Sequence, residues 1–179
     1  MTTPSDGFHR ALHQVKRTSL SGDTAQTGGM RRLEALSGRT VGSERLWMGE
    51  TRVAPATTSA NHHHGRSETG IYVVSGHPRF VFLDETDETD ETDETDETGE
   101  GGEGGPREIV LRTGPGDYVY VPPWVPHREE NPDPDEEAVV VIARTTQEAI
   151  VVNLPDLRWV GPVGTTSPEA YDEGEGRSS

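Results

Sequence analysis

The 179-residue chain contains no cysteine. A disulfide framework, a thiolate metal site and a cysteine nucleophile are therefore excluded. Aromatic residues make up 6% and apolar residues 30% of the chain, while glycine and proline number 21 and 13. Such a composition is thin for a packed fold unless the polar residues are concentrated outside the core. No apolar run approaches the roughly 20 residues that span a bilayer, and the first ten residues, MTTPSDGFHR, lack the apolar centre of a signal peptide. The expectation is a soluble cytoplasmic protein with no membrane partner. A basic stripe is missing as well, since 16 Lys and Arg face 32 Asp and Glu for a formal charge of −16. Lys and Arg supply most nucleic-acid affinity by neutralising phosphate, so no nucleic-acid partner is expected.

The charge is unevenly placed. Residues 84 to 98 are five perfect Asp-Glu-Thr repeats, and GEGGEGG follows from Gly99 to Gly105. Positions 84 to 105 hold 12 of the acidic side chains and no basic one, so the rest of the chain carries only −4, sixteen less twelve. Like charges at such density repel one another and resist burial, so 84–106 is expected to be a solvated, disordered insertion. EF-hand spacing is absent, and carboxylates on a floppy loop would lose ion affinity to ordering entropy. The formal GxGxxG from Gly99 to Gly104 carries no weight, because its acidic residues would repel a pyrophosphate and no helical pattern follows it.

Away from the insertion the length suits one domain. Residues 1–29 are polar and Thr/Ser/Gly-rich, with one mildly apolar patch at 11 to 15, and read as a flexible arm. From Met30 the chain turns to short runs of β-branched and aromatic residues separated by Gly/Pro turns: 31–36, 44–53, 71–75, 79–83, 107–112, 118–121, 138–143 and 149–154. No segment keeps a 3.6-residue apolar period long enough for a helix. Eight short strands imply an all-β sandwich, jelly roll or small barrel over 30–158. The segment 159–179 has the composition of a disordered tail.

Residues 61 to 70 read NHHHGRSETG. In an extended strand alternate side chains share a face, so His62 and His64 point one way, about 7 Å apart, and His63 the other. Glu68 follows past a bend at Gly65 to Ser67. Two imidazoles and one carboxylate form a set that leaves coordination positions open on a divalent transition metal, although an isolated HxH is more often solvated surface. Farther on, GPGDYVYVPPWVPHREEN at 114 to 131 ends a strand in two prolines, turns through Trp124 and delivers His127.

HxHxxxE at His62, His64 and Glu68 with Gly76 beyond, then GDxxxxPxxxxH from Gly116 to His127 with Asn131 after it, resembles the two signature motifs of the cupin superfamily over roughly residues 44 to 144. The resemblance implies a jelly-roll barrel, the double-stranded β-helix, binding one divalent transition metal (Fe, Mn, Ni, Co, Cu or Zn) through His62, His64, Glu68 and His127. His63 would face away. Three departures stand out. Pro55 and Ala56 replace the glycine region that opens the first motif, seven residues rather than six separate Glu68 from Gly76, and Trp124 stands where glycine is common.

The function this implies is a metal-dependent enzyme of dioxygenase type acting on a small chelating molecule. The alternatives are a non-catalytic metal- and metabolite-binding protein, or a non-oxidative isomerase or lyase. No substrate-reading signature is recognisable. Glu50, Arg52, Tyr72, His77, Tyr118 and Tyr120 would contact a substrate only if their strands face inward, and a surface role is the commoner fate of such residues. A homodimer is expected, with the arm and LWMGETRV at 46 to 53 offering apolar strand surface for it.

Overall fold

Strand β2, Trp47–Val53, alternates as its sequence WMGETRV suggests: Trp47, Gly49, Thr51 and Val53 are buried while Met48, Glu50 and Arg52 lie on the half-buried outer face. The same two-residue period runs through β10, Ala138–Arg144, where Ala138, Val140, Ile142 and Arg144 point inward. The computed structural model describes residues 12–84, 107–155 and 157. The Asp-Glu-Thr insertion beyond Asp84 and the segment after Leu157 lie outside the described residues.

Eleven strands form among the described residues: β1 Met30–Leu36, β2, β3 Thr57–Thr58, β4 His62–His63, β5 Thr69–Ser75, β6 Arg79–Asp84, β7 Arg107–Arg112, β8 Tyr118–Val121, β9 His127–Asn131, β10 and β11 Val152–Asn153. One four-residue helix, α1 at Gly38–Val41, links β1 to β2. The strands build two antiparallel sheets, ordered β1-β2-β10-β5-β8 and β11-β4-β9-β6-β7, with β3 added on β9. This is the expected jelly roll. The apolar core between the sheets is Trp47, Ile71, Val73, Phe80, Val119, Val121, Val140 and Ile142; fully burying one such side chain stabilises the fold by about 1.5–3 kcal/mol.

Asn131, at the end of β9, ties the sheets together. Its amide nitrogen donates to the carbonyls of Val53, Ala54 and Glu136 at 3.1, 3.3 and 2.7 Å. Gly76 closes the hairpin after β5 with φ 77°, and a Cβ there would meet the Ala138 Cα at 2.8 Å. Only glycine satisfies both conditions.

Two expectations need correction here. β2 was expected to offer an edge for dimerisation, but it lies between β1 and β10 with its inward residues in the core. Three strands were not anticipated: β3, β4 and β9. The sequence of β9, HREEN, is polar on both faces and gives no hydrophobic alternation to detect. No helix among the described residues is long and apolar enough to cross a membrane.

Candidate metal centre

His62 on β4 stands directly opposite His127 on β9, and His64 follows two residues after His62 on the same inward side. Their rings converge, with centroids 5.3 Å apart for His62 and His64, 4.5 Å for His62 and His127, and 4.7 Å for His64 and His127. One ring nitrogen from each lies within 4.8 Å of the others. All three residues are buried.

Each ring is oriented through Nδ1. His62 Nδ1 bonds the Ala60 carbonyl at 2.9 Å and His127 Nδ1 the Val125 carbonyl at 3.0 Å. A carbonyl only accepts, so Nδ1 carries the proton in both, and Nε2 of the neutral ring presents a bare lone pair. His64 Nδ1 meets Thr69 Oγ1 at 2.8 Å. The three Nε2 atoms are buried with no hydrogen-bond partner. Burial pushes His62 and His127 down from 6.5 to about 4. His64 is also pushed far down, by burial and then by the charge of Arg144. At neutral pH these are three uncharged imidazoles with convergent lone pairs, which could hold a metal ion.

Glu68 does not join them. It is exposed, and its Oε1 accepts from the Tyr120 hydroxyl at 3.1 Å outside the barrel. The reason is strand parity: β5 begins at Thr69, whose side chain is buried beside His64, so the residue before it points outward. Six residues separate Thr69 from Gly76, and the seven-residue gap counted from Glu68 was the sign of this one-residue offset. The fourth position of the expected ligand set is thus occupied by a hydroxyl that orients His64.

His63 faces away from the cluster, as expected. Its Nδ1 accepts from the Gly65 N–H at 2.9 Å and its ring packs on Trp124 at 5.5 Å. Trp124 adopts φ 67°, a left-handed conformation rare outside glycine. That explains why this turn commonly takes glycine. Its N–H donates to the Gly65 carbonyl at 2.8 Å, joining the two histidine-bearing loops.

Of the six residues considered as substrate contacts, Tyr120 borders the cavity beside His127 and the others lie on the outer face. Arg52 pairs with Glu50 and Glu137 on the outer face. Tyr72 and Tyr118 stack against each other outside the barrel, where Tyr120 and His77 are also exposed. The interior instead holds charged residues that sequence reasoning missed, among them Arg32 on β1, Arg144 on β10 and Glu129 on β9; Glu34 on β1 is buried too, but it pairs with Arg39. For Arg144 and Glu129 a signal existed, because the inward period from Ala138 reaches 144 and the residue two beyond His127 is 129. A cavity of about 650 Å³ opens at the β8–β9 turn, lined mainly by apolar residues including Phe80, Val119, Val121, Trp124 and Val125, with His127 at its wall.

No family model matches the sequence, and no curated protein does. Solved structures do resemble it. An oxalate oxidase in complex with the substrate analogue glycolate is 20% identical, with 86% of this chain and 69% of that one covered at a TM-score of 0.60. The polyketide cyclase RemF from Streptomyces resistomycificus is 18% identical, with 80% and 86% covered at 0.55. Oxalate decarboxylase from Bacillus subtilis is 19% identical over 74% of this chain, which spans only 30% of that longer one, at 0.54. At these identities the likeness establishes the fold.

Proposed function

We propose that this chain, which has the cupin fold, is a mononuclear metal-dependent enzyme, of dioxygenase type, acting on a small organic molecule that chelates the ion. The observation that carries this reading is the convergence of three buried, unpartnered Nε2 lone pairs from His62, His64 and His127. His62, His64 and His127 would hold the ion through three nitrogen donors, a set that suits Fe, Mn, Ni, Co, Cu or Zn. A bound ion supplies Lewis acidity, and oxygen activation if it is redox-active. The chain's residues do the rest. Thr69 and the carbonyls of Ala60 and Val125 hold the rings in orientation, and the apolar cavity at His127 excludes water from the body of a ligand.

A second reading, non-oxidative isomerase or lyase chemistry, is favoured by one feature. Glu129 lies two residues beyond His127 on the same inward face and is buried, a position suited to moving a proton. Reconstitution of metal-free protein with each ion in turn, followed by oxygen uptake and product analysis under air and nitrogen, separates the two. Turnover only with oxygen supports the dioxygenase; equal turnover under nitrogen supports the second reading; ligand-induced stabilisation without turnover supports a binding protein. A homodimer remains part of the proposal, with its contact on the outer face of β5 and β8, where Tyr72, Val74, Tyr118 and Tyr120 are exposed. Sedimentation of the full chain tests it, and a monomer at micromolar concentration would refute it.

A further inference from the structure

Arg32, Arg144 and Glu129 are 0%, 1% and 1% exposed. Each guanidinium is hydrogen-bonded at one nitrogen only: Arg32 Nη1 donates to the Ala25 carbonyl at 2.5 Å, and Arg144 Nη1 to the Ile150 carbonyl at 2.9 Å, with the Arg144 cation also 5.6 Å from the Trp47 ring centroid. In both residues Nε and Nη2 are buried without a hydrogen-bond partner, and so are both carboxylate oxygens of Glu129. Nε and Nη2 form one edge of the guanidinium, the edge that gives two parallel N–H bonds to a carboxylate. The backbone contacts therefore fix two arginines so that their carboxylate-binding edges stay free.

Burial does not discharge them. It pushes Arg144 down to about 9, still protonated at neutral pH, and lowers Arg32 against the opposing pull of Glu129. Leaving buried charge unpaired costs several kcal/mol per ion. Yet neither arginine closes an ion pair with Glu129, although the acidic charge acts on both.

The same interior adjoins the histidines. Arg144 stands opposite Thr69, the residue that orients His64. Glu129 shares the inward face of β9 with His127. Arg32 stands opposite Thr51, whose buried hydroxyl is also unpartnered. Two guanidiniums and one carboxylate leave one net positive charge, which a monoanion matches. A phosphate dianion would press proton-free oxygens against Glu129, whose ionised carboxylate only accepts.

We propose that Arg32, Arg144 and Glu129 form a subsite for a small 2-hydroxy carboxylate, its carboxylate accepting from the two guanidinium edges and its hydroxyl donating to Glu129. The inference rests on the metal reading only for its place beside the ion; the recognition itself needs no metal. It names the substrate class for the site described above.

The test is calorimetric titration and thermal shift of the full chain, stripped with chelator, against lactate and mandelate, their methyl esters, and propionate. Charge-assisted hydrogen bonds to the guanidinium edges are lost in the ester, so the acids should bind at least about 10-fold more tightly than their esters. Lactate should also exceed propionate, which lacks the hydroxyl. Arg144→Lys and Arg32→Lys keep charge but lose the fork, and each should weaken acid binding about 10-fold while leaving ester binding unchanged. Glu129→Gln should erase the preference for lactate over propionate. Acids binding no better than esters, or no acid binding to the folded wild-type chain, overturns the proposal, and that comparison stands even if a variant fails to fold. The same titration on His127→Ala separates the two readings. Acid preference kept without metal means that only the metal reading can be at fault; metal bound without acid preference sinks the subsite alone.

Discussion

On β5, β8 and β10 most inward positions are apolar, Ile71, Val73, Val119, Val121, Val140 and Ile142, with Thr69 and Arg144 at the strand ends beside the histidines; on β9, β4 and β1 they include His127, Glu129, Asn131, His62 and Arg32. Both sets are buried in one barrel, yet their physics is opposite. The first gains stability from every apolar contact. The second carries orphaned nitrogens and unpaired charges that cost stability. That cost is the ground for placing the proposed function in the polar half.

The comparison can be broken at either side. Ile142→Ala in the apolar half should cost about 2–5 kcal/mol by chemical denaturation while the folded protein keeps its metal content. In the polar half, the triple change Arg32→Met, Glu129→Leu and Arg144→Met should leave the stability of the stripped protein equal or raise it, by up to about 4 kcal/mol on the same measurement. A loss as large as that of Ile142→Ala would show that these charges are paired after all. Acid should reach the polar half first. His62 and His127 are held neutral down to about pH 4 when folded, against 6.5 when unfolded. The unfolded chain binds more protons in that window, so stability of the metal-free protein should fall as pH drops from 6.5 towards 4, as thermal melts at stepped pH will show. Thr69→Val removes the hydroxyl that orients His64 and should weaken metal binding about 10-fold in competition titrations. Glu68→Gln, outside the barrel, should change metal affinity least of all.

The two halves also differed in how legible they were. Ile71, Val73, Val140 and Ile142 announce their strands by alternation, and the two motifs brought His62, His64 and His127 into view from positions far apart in the chain. Glu68 was misassigned because a carboxylate at the right approximate distance is visible in sequence, whereas strand parity depends on where β5 starts, at Thr69. Arg32 was illegible for a related reason, and Glu129 nearly so. A buried charge reads as a surface residue until its register is known, and since β9 carries charge on both faces, only the two-residue step from His127 distinguishes Glu129 inside from Arg128 and Glu130 outside.

The most direct measurement is elemental metal analysis of untagged protein purified anaerobically, with His64→Ala and Glu68→Gln prepared alongside. Three histidines sufficing as the protein ligands predicts near one equivalent of a transition metal in wild type and Glu68→Gln, and none in His64→Ala. Metal lost with Glu68→Gln, or absent from all three even after reconstitution, would contradict the account.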